Sequence, residues 1–205
     1  MSRIAVLDFE TTGLSPDDGD RATEVAIVLT ENGAVVDRYQ SLMYAGVRIP
    51  SFITDLTGIT DAMVRAAPPA NVVMAEAARF VGATPIVAHN ASFDQRFWLS
   101  ELRRARVPAA HSFACTLLAS RRLYPEAPNH RLGTLVEYHG LPRTGTAHRA
   151  LADAEMAAAL LDRILNDLRG QHGVRHADHG LLMRLQAVSR AAVPAFLAKE
   201  AGEGP

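Results

Sequence analysis

Residues 3–10 read RIAVLDFE, a run of strand-forming apolar residues that ends on two carboxylates, Asp8 and Glu10. No other short stretch limits the possible folds so tightly. Ile4-Ala5-Val6-Leu7 is apolar at every position, the pattern of a strand covered on both faces. Acids two apart on an extended chain project to the same side, so both leave the strand together. Phe9, between them, points the other way, into the core. Withdrawing ionised carboxylates from water costs several kcal/mol on an order-of-magnitude scale unless they are paired or bind a cation. The fold must therefore bring compensating charge to the end of a buried strand.

The first half of the chain continues as β structure. Residues 22–30 and 33–44 are rich in Val, Ile, Leu and Tyr, and Asn32-Gly33 marks a tight hairpin turn between them. From about residue 52 the period becomes helical. ANVVMAEAARFV (70–81) is an amphipathic helix. ATPIVAHN (83–90) is a short buried strand ending at His89-Asn90. Ser92 is placed to cap the helix FDQRFWLSELRRAR, with Asp94 in its first turn. A short strand near 112–115, helices near 116–122 and 131–139, and a long helix over 147–168 follow. Five strands, meandering first and then alternating with helices, predict an α/β fold: a mixed five-stranded sheet flanked by helices. Composition shifts at residue 169. RGQHGVRHADHG reads as a linker, with His172, His176 and His179 solvated. Beyond it an amphipathic helix is broken or kinked by Pro194. The expected organisation is one domain over 1–168 and a linker plus helical extension over 169–205.

Several classes drop out on composition. No run approaches the roughly 18 apolar residues of a membrane span, and Arg3 is followed by only four apolar residues before Asp8, unlike a secretory signal. The single cysteine, Cys115, excludes an internal disulfide framework. It lies in the apolar run SFACTLLAS as a small hydrophobe, and its presence fits a reducing cytoplasm. The formal net charge is −1, so bulk electrostatics neither favours nor opposes nucleic acid. Arginines cluster at 103, 104 and 106 and at 121 and 122, with 131, 143 and 149 following. These read as solvated faces unless the site itself demands a phosphate-bearing ligand.

Asp153 heads a stripe continued by Met156, Ala157, Leu160 and Ile164, the spacing of a core-facing helix side. It therefore points inward from the first turn. Alone, Asp153 also fits an acid that complements the helix dipole, and Asp8 and Glu10 also fit solvent-facing turn acids. Taken together, acids at the ends of buried elements cannot all ionise near one another without a cation. Oxygen ligands with no Cys/His set favour Mg²⁺ or Mn²⁺ over zinc. Carboxylates plus substrate phosphate are the parts of a two-metal phosphodiesterase. His148, five residues before Asp153, is close enough to serve the same site, and an imidazole with an ordinary pKa of about 6.5 accepts a proton near neutrality.

DFETTG (8–13), HNASFD (89–94) and HRALAD (148–153) occur in that order and resemble the three motifs of the DEDD 3′–5′ exonucleases. The His-x4-Asp spacing of the third resembles the histidine subclass. The overall likeness is to the proofreading (epsilon) subunits of bacterial DNA polymerase III and their relatives, over about residues 1–168. IPSFITDLTGIT (49–60) and CTLLASRRLYP (115–125) resemble segments of the same proteins. The resemblance implies an RNase H-like fold and release of nucleoside 5′-monophosphates from DNA 3′ ends. It implies that Asp8, Glu10 and Asp153 hold one divalent cation, that Asp8 and Asp94 hold a second, and that His148 is the general base. It further implies that Thr11 and Thr12 meet the terminal nucleotide, that Leu14, Ile59 and Phe93 touch unstacked bases, and that Asn90 contacts substrate or braces its loop. Thr57 departs from the pattern, since proofreading subunits often carry histidine there. The same motifs serve exoribonucleases of the RNase T and oligoribonuclease type, and a third reading makes the chain a polymerase-docked accessory subunit. Polymerase-binding sequence follows the nuclease domain in proofreading subunits, but residues 169–205 carry no such motif, so a helix packed on its own domain or on a second copy competes with a docking element.

Overall fold

The computed structural model describes residues 3–145 and 148–202. Strands β1 (Arg3–Thr11), β2 (Ala22–Glu31), β3 (Ala34–Leu42), β4 (Ile86–Ala88) and β5 (Phe113–Cys115) form one sheet in the order β3-β2-β1-β4-β5. The first three are antiparallel, whereas β4 and β5 run parallel to β1. Asn32 (φ 51) and Gly33 (φ 84) both adopt the left-handed backbone that a two-residue hairpin needs, as expected between β2 and β3. The helices are α1 (Ser51–Thr57), α2 (Asp61–Arg65), α3 (Ala70–Val81), α4 (Ala91–Ala105), α5 (Thr116–Leu123), α6 (Leu132–Tyr138), α7 (Ala150–Gly170), α8 (His179–Ala187) and α9 (Val193–Gly202).

Alternation along β1 divides the core. Ala5, Leu7 and Phe9 face α3 and α4, whereas Ile4 and Val6 face α7 together with Ala26 and Val28 of β2. Phe9 packs near Trp98, with ring centroids 6.4 Å apart. The even-numbered positions of β1 continue to Asp8 and Glu10, so both acids emerge on the side covered by α7. A smaller core of Ile49, Ile53, Ile59 and Val64 sits under α1 and α2.

Three local expectations change. Helix α4 starts at Ala91 with Asn90 at the cap in the left-handed conformation (φ 69). Ser92 therefore lies inside the helix rather than capping it. Helix α7 starts at Ala150 rather than 147, leaving His148 in the approach to the helix, itself at φ 60. Ala147, where that helix was expected to begin, lies outside the described residues. Pro194 does not break the last helix. The break falls at Val188-Ser189, and Pro194 occupies the first turn of α9, where its missing N–H leaves no hydrogen bond unmade.

The stretch read as a linker is packed. Val174, Ala177 and His179 are buried, and His179 Nε2 donates to the Ile86 carbonyl at 2.9 Å. Leu181, Leu182, Leu185, Val193 and Leu197 join the same core as α7. Gln186 accepts from the Cys115 amide (2.8 Å) and donates to the Phe113 carbonyl (3.5 Å), so α8 covers the outer edge of β5. Sheet edges left bare invite pairing with other chains. The guanidinium of Arg122 caps α8 by donating to the carbonyls of Gln186 and Val188, both at 3.0 Å. Among the described residues, no helix is long and apolar enough to cross a membrane.

Candidate active site

β4 ends at Ala88, whereas β1 runs on to Thr11. The overhanging end of β1 thus has a free side beyond its last pairing with β4 at Val6, and the amide of Phe9 needs an acceptor there. Asp94, in the first turn of α4, supplies it: Phe9 N donates to Asp94 Oδ1 at 3.2 Å. Asp94 is 2% exposed. Helix α7 closes the other side. One carboxylate oxygen from each of Asp8, Glu10 and Asp153 lies within 4.8 Å of the others. Asp153 also accepts the His148 amide at 3.0 Å (Oδ2), which ties the left-handed turn at His148 to the helix it precedes.

Burial is the main reason every acid here resists ionisation. It pushes Glu10 up to about 8, with the charges of Asp153 and Glu24 adding to the effect and Arg149 opposing it. Asp8 is raised well above the usual carboxylate range by burial first and then by Asp94, Asp153 and Glu10. Asp94 and Asp153 are raised for the same leading reason. A divalent cation fits this donor set: it would hold the carboxylates in their charged form and remove their mutual repulsion.

The remaining expected residues divide. Thr11 and Thr12 are buried beside the acids, but their hydroxyls are engaged. Thr11 Oγ1 donates to the Gly13 carbonyl (2.6 Å). Thr12 Oγ1 donates to Asp20 (3.3 Å) and accepts from the Arg21 amide (3.0 Å). Asp20 latches the loop after β1, accepting from the Ser15 amide as well (3.0 Å). Leu14 is 78% exposed at the rim. Phe93 lines the site and packs tilted against Phe97, with ring centroids 4.9 Å apart. Ile59 is fully buried in the satellite core and does not line the site. Asn90 lines the neighbouring groove, and its left-handed backbone, which asparagine tolerates better than most residues, turns the chain from β4 into α4.

Two grooves meet at Asp8, His148 and Asp153. One, of about 400 Å³, is lined by Leu14, Phe52, Ile53, Leu56 and Phe93. Phe52 and Leu56, 64% and 51% exposed, were not anticipated, although their four-residue spacing on α1 was available in the sequence. Thr57 also lines this groove, while its hydroxyl donates to the Ile53 carbonyl at 2.9 Å. The other groove, of about 1090 Å³, runs past Asn90, Arg121, His130, Arg131 and Arg143. Its wall is braced by His89, which hydrogen-bonds Thr116 Oγ1 through Nδ1 (2.9 Å) and donates from Nε2 to the His130 carbonyl (3.0 Å). Burial lowers His89 to about 4, which keeps it neutral.

Glu24 was missed altogether. It is 1% exposed, directly opposite Glu10 across β1 and β2. It accepts from Gln40 Nε2 (2.8 Å), Arg149 Nη2 (2.9 Å), Arg149 Nε (3.2 Å) and the Ala150 amide (3.2 Å). Glu24 thereby anchors the start of α7 to β2 and fixes the turn of helix that carries Asp153.

A central strand ending in acids, met by acids from α4 and α7 at the end of a mixed five-stranded sheet, defines a carboxylate site suited to divalent cations. The chain belongs to the RNase T exonuclease family, whose pattern matches residues 5–161. Among curated relatives, the PolC-type DNA polymerase III of Caldanaerobacter subterraneus subsp. tengcongensis is 35% identical over 166 residues, 81% of this chain and 12% of the polymerase. The 3′-5′ exonuclease DinG of Bacillus subtilis is 36% identical over 169 residues, 82% of this chain and 18% of DinG. The chain thus spans less than a fifth of these relatives' length. Of solved structures, exonuclease X in complex with 5′-overhanging duplex DNA matches with a TM-score of 0.65 at 30% identity, covering 80% of this chain and 91% of that one.

Proposed function

We propose that the chain is a divalent-cation-dependent 3′–5′ exonuclease that removes nucleoside 5′-monophosphates from DNA. The observation that carries this is the convergence of Asp8, Glu10 and Asp153 within 4.8 Å at the junction of an apolar and a polar groove. Asp8, Glu10 and Asp153 would hold one Mg²⁺ or Mn²⁺, and Asp8 with Asp94 a second. Bound there, the ions supply Lewis acidity toward the scissile phosphate and its attacking water. His148, exposed beside Asp153, takes the proton from that water at an imidazole nitrogen. The water oxygen would bond to phosphorus as the bond to the 3′ oxygen breaks, and that oxygen would take up a proton from solvent.

The apolar groove seats the terminal nucleotide. Phe93, Phe52, Leu56 and Leu14 offer faces to an unstacked base, as single-strand binding sites do. The engaged hydroxyls of Thr11 and Thr12 fix the loop, and the Thr12 amide donates to the Arg21 carbonyl at 2.9 Å, so the pair shapes the seat of the nucleotide. The names of the polymerase and DinG relatives favour DNA over RNA. On this reading the exonuclease unit is residues 1–168, and α8 and α9, packed against it, present only their outer faces to any polymerase partner.

Digestion of 5′-labelled single-stranded DNA, mismatched duplex DNA and RNA in parallel tests the proposal. The expected result is a ladder shortening from the 3′ end of DNA, abolished by EDTA and restored by Mg²⁺ or Mn²⁺. Shortening of RNA alone would move the chain to the exoribonucleases.

A further inference from the structure

The larger groove is chemically unlike the apolar one, and the exonuclease reaction at the carboxylates leaves it without a task. Arg121, at the end of α5, and Arg131, just before α6, both line it and are exposed. Neither guanidinium has an acidic partner among the described residues. Arg143, on the same wall, pairs with exposed Glu137 at 3.2 Å. Cations gathered beside a cluster of acids, yet not paired with it, are arranged for an anion that passes between the two.

The wall of the groove is also braced by hydrogen bonds. His89, seated between the end of β4 and residue 130, fixes the backbone that carries Arg131, and His130 Nε2 donates to the Tyr124 carbonyl at 3.0 Å. Asn129 Oδ1 accepts the Arg131 amide at 3.0 Å. Hydrogen bonds thus fix the backbone that carries Arg131, so only its side chain has to be ordered when an anion binds.

We infer that this groove binds the phosphodiester backbone of the substrate strand on the 5′ side of the scissile bond, with Arg121 and Arg131 each neutralising a phosphate. The inference rests on the exonuclease reading above, and it adds that the enzyme grips a strand rather than its last nucleotide alone. The grooves share Asp8, His148 and Asp153, so a strand whose terminal base lies in the apolar groove continues directly into the cationic one. Guanidinium groups suit this task because they bind phosphate oxygens through paired donors.

The test is the double substitution Arg121→Ala with Arg131→Ala, both at exposed positions. Binding of a 5′-fluorescein oligothymidylate to the full chain in EDTA is read by anisotropy across a salt series. The dissociation constant is expected to rise by at least about tenfold. The slope of log affinity against log salt is expected to shrink by about 1.4, at about 0.7 per phosphate contact on a single strand. In Mg²⁺, the ratio of oligothymidylate to thymidine 5′-p-nitrophenyl phosphate turnover should fall by a similar factor, because the ester has no upstream phosphate. An unchanged salt slope, or equal losses on strand and ester, overturns the groove assignment. A wild-type chain that binds the strand with the expected slope but cleaves neither substrate would instead overturn the exonuclease reading and leave the groove standing.

Discussion

Replacing Glu10 by glutamine should stabilise the cation-free fold at alkaline pH while destroying its function. Glu10 is 9% exposed and is pushed up to about 8 by burial and by neighbouring acids, against about 4.3 for an ordinary glutamate. The folded chain therefore holds a proton there that the unfolded chain releases. Stability linked to this group is complete below about pH 4, declines as pH rises, and is fully lost above about pH 8. At about 1.4 kcal/mol per pH unit the ceiling is about 5 kcal/mol. Asp8, Asp94 and Asp153 share the same repulsion and do not all ionise together, so about 2 kcal/mol is the working figure. For a chain of this size that raises the melting temperature of Glu10→Gln above wild type by about 4–8 °C. Thermal melts in EDTA at about pH 4, 6 and 8 should show the gap opening with pH. Excess Mg²⁺ should then reverse the order, because it binds only the intact cluster and adds about 2.7 kcal/mol at a hundredfold excess over its dissociation constant. A variant that melts at or below wild type at pH 8 in EDTA, or a gap that ignores pH, would refute the reasoning. The carboxylate would then already be satisfied by the protein.

His148→Ala should lower turnover by about 10²–10⁴-fold with strand affinity nearly unchanged, and Asp94→Ala should abolish nucleotide release, both measured by single-turnover cleavage at saturating enzyme. Glu24→Ala strips the partner from Arg149 and from the Ala150 amide. Breaking a buried pair costs about 3–5 kcal/mol, and because Arg149 is itself 36% exposed the lower end is expected, visible in a urea melt. Deleting residues 177–205 uncovers the β5 edge and should give both a lower melting temperature and self-association by light scattering. A truncated chain that stayed monomeric and as stable would show that α8 is dispensable to the sheet.

Much of the layout was legible because it rests on local periodicity. The unbroken apolar run of β1 marks a strand covered on both faces, the Asn32-Gly33 pair marks the hairpin, and the stripe running from Asp153 to Ile164 marks the core-facing side of α7. Errors gathered where tertiary contacts override local preference. Ser92 has the chemistry of a helix cap, yet the helix begins two residues earlier than that cap implies, because Asn90 makes the turn out of β4. The Gly- and His-rich stretch after residue 169 has the composition of a linker, yet Val174, Ala177 and His179 are held by α7 and β4. Single apolar residues in polar surroundings carry little signal alone, and their burial depends on what covers them.

The site was legible for the residues that do chemistry and opaque for those that hold them. Asp8, Glu10, Asp94 and Asp153 announce themselves because acids at the ends of buried elements need an explanation. Glu24 needs one just as much, since Thr23-Glu24 interrupts an apolar strand at a position opposite Glu10. Its explanation lies 125 residues away, at Arg149, and no spacing rule reaches that far. The same argument gives the Glu24–Arg149 pair its importance. The acids of β1 share a strand and hold their places by pleat geometry alone, and Asp94 is fixed by the Phe9 amide. Asp153 arrives on a separate helix whose first turn would otherwise be repelled by the acids it must join. An oppositely charged pair placed next to the cluster, one partner on β2 and the other at the start of α7, draws that turn inward without neutralising the cluster itself. The cluster remains short of positive charge, which is the condition for binding a divalent cation.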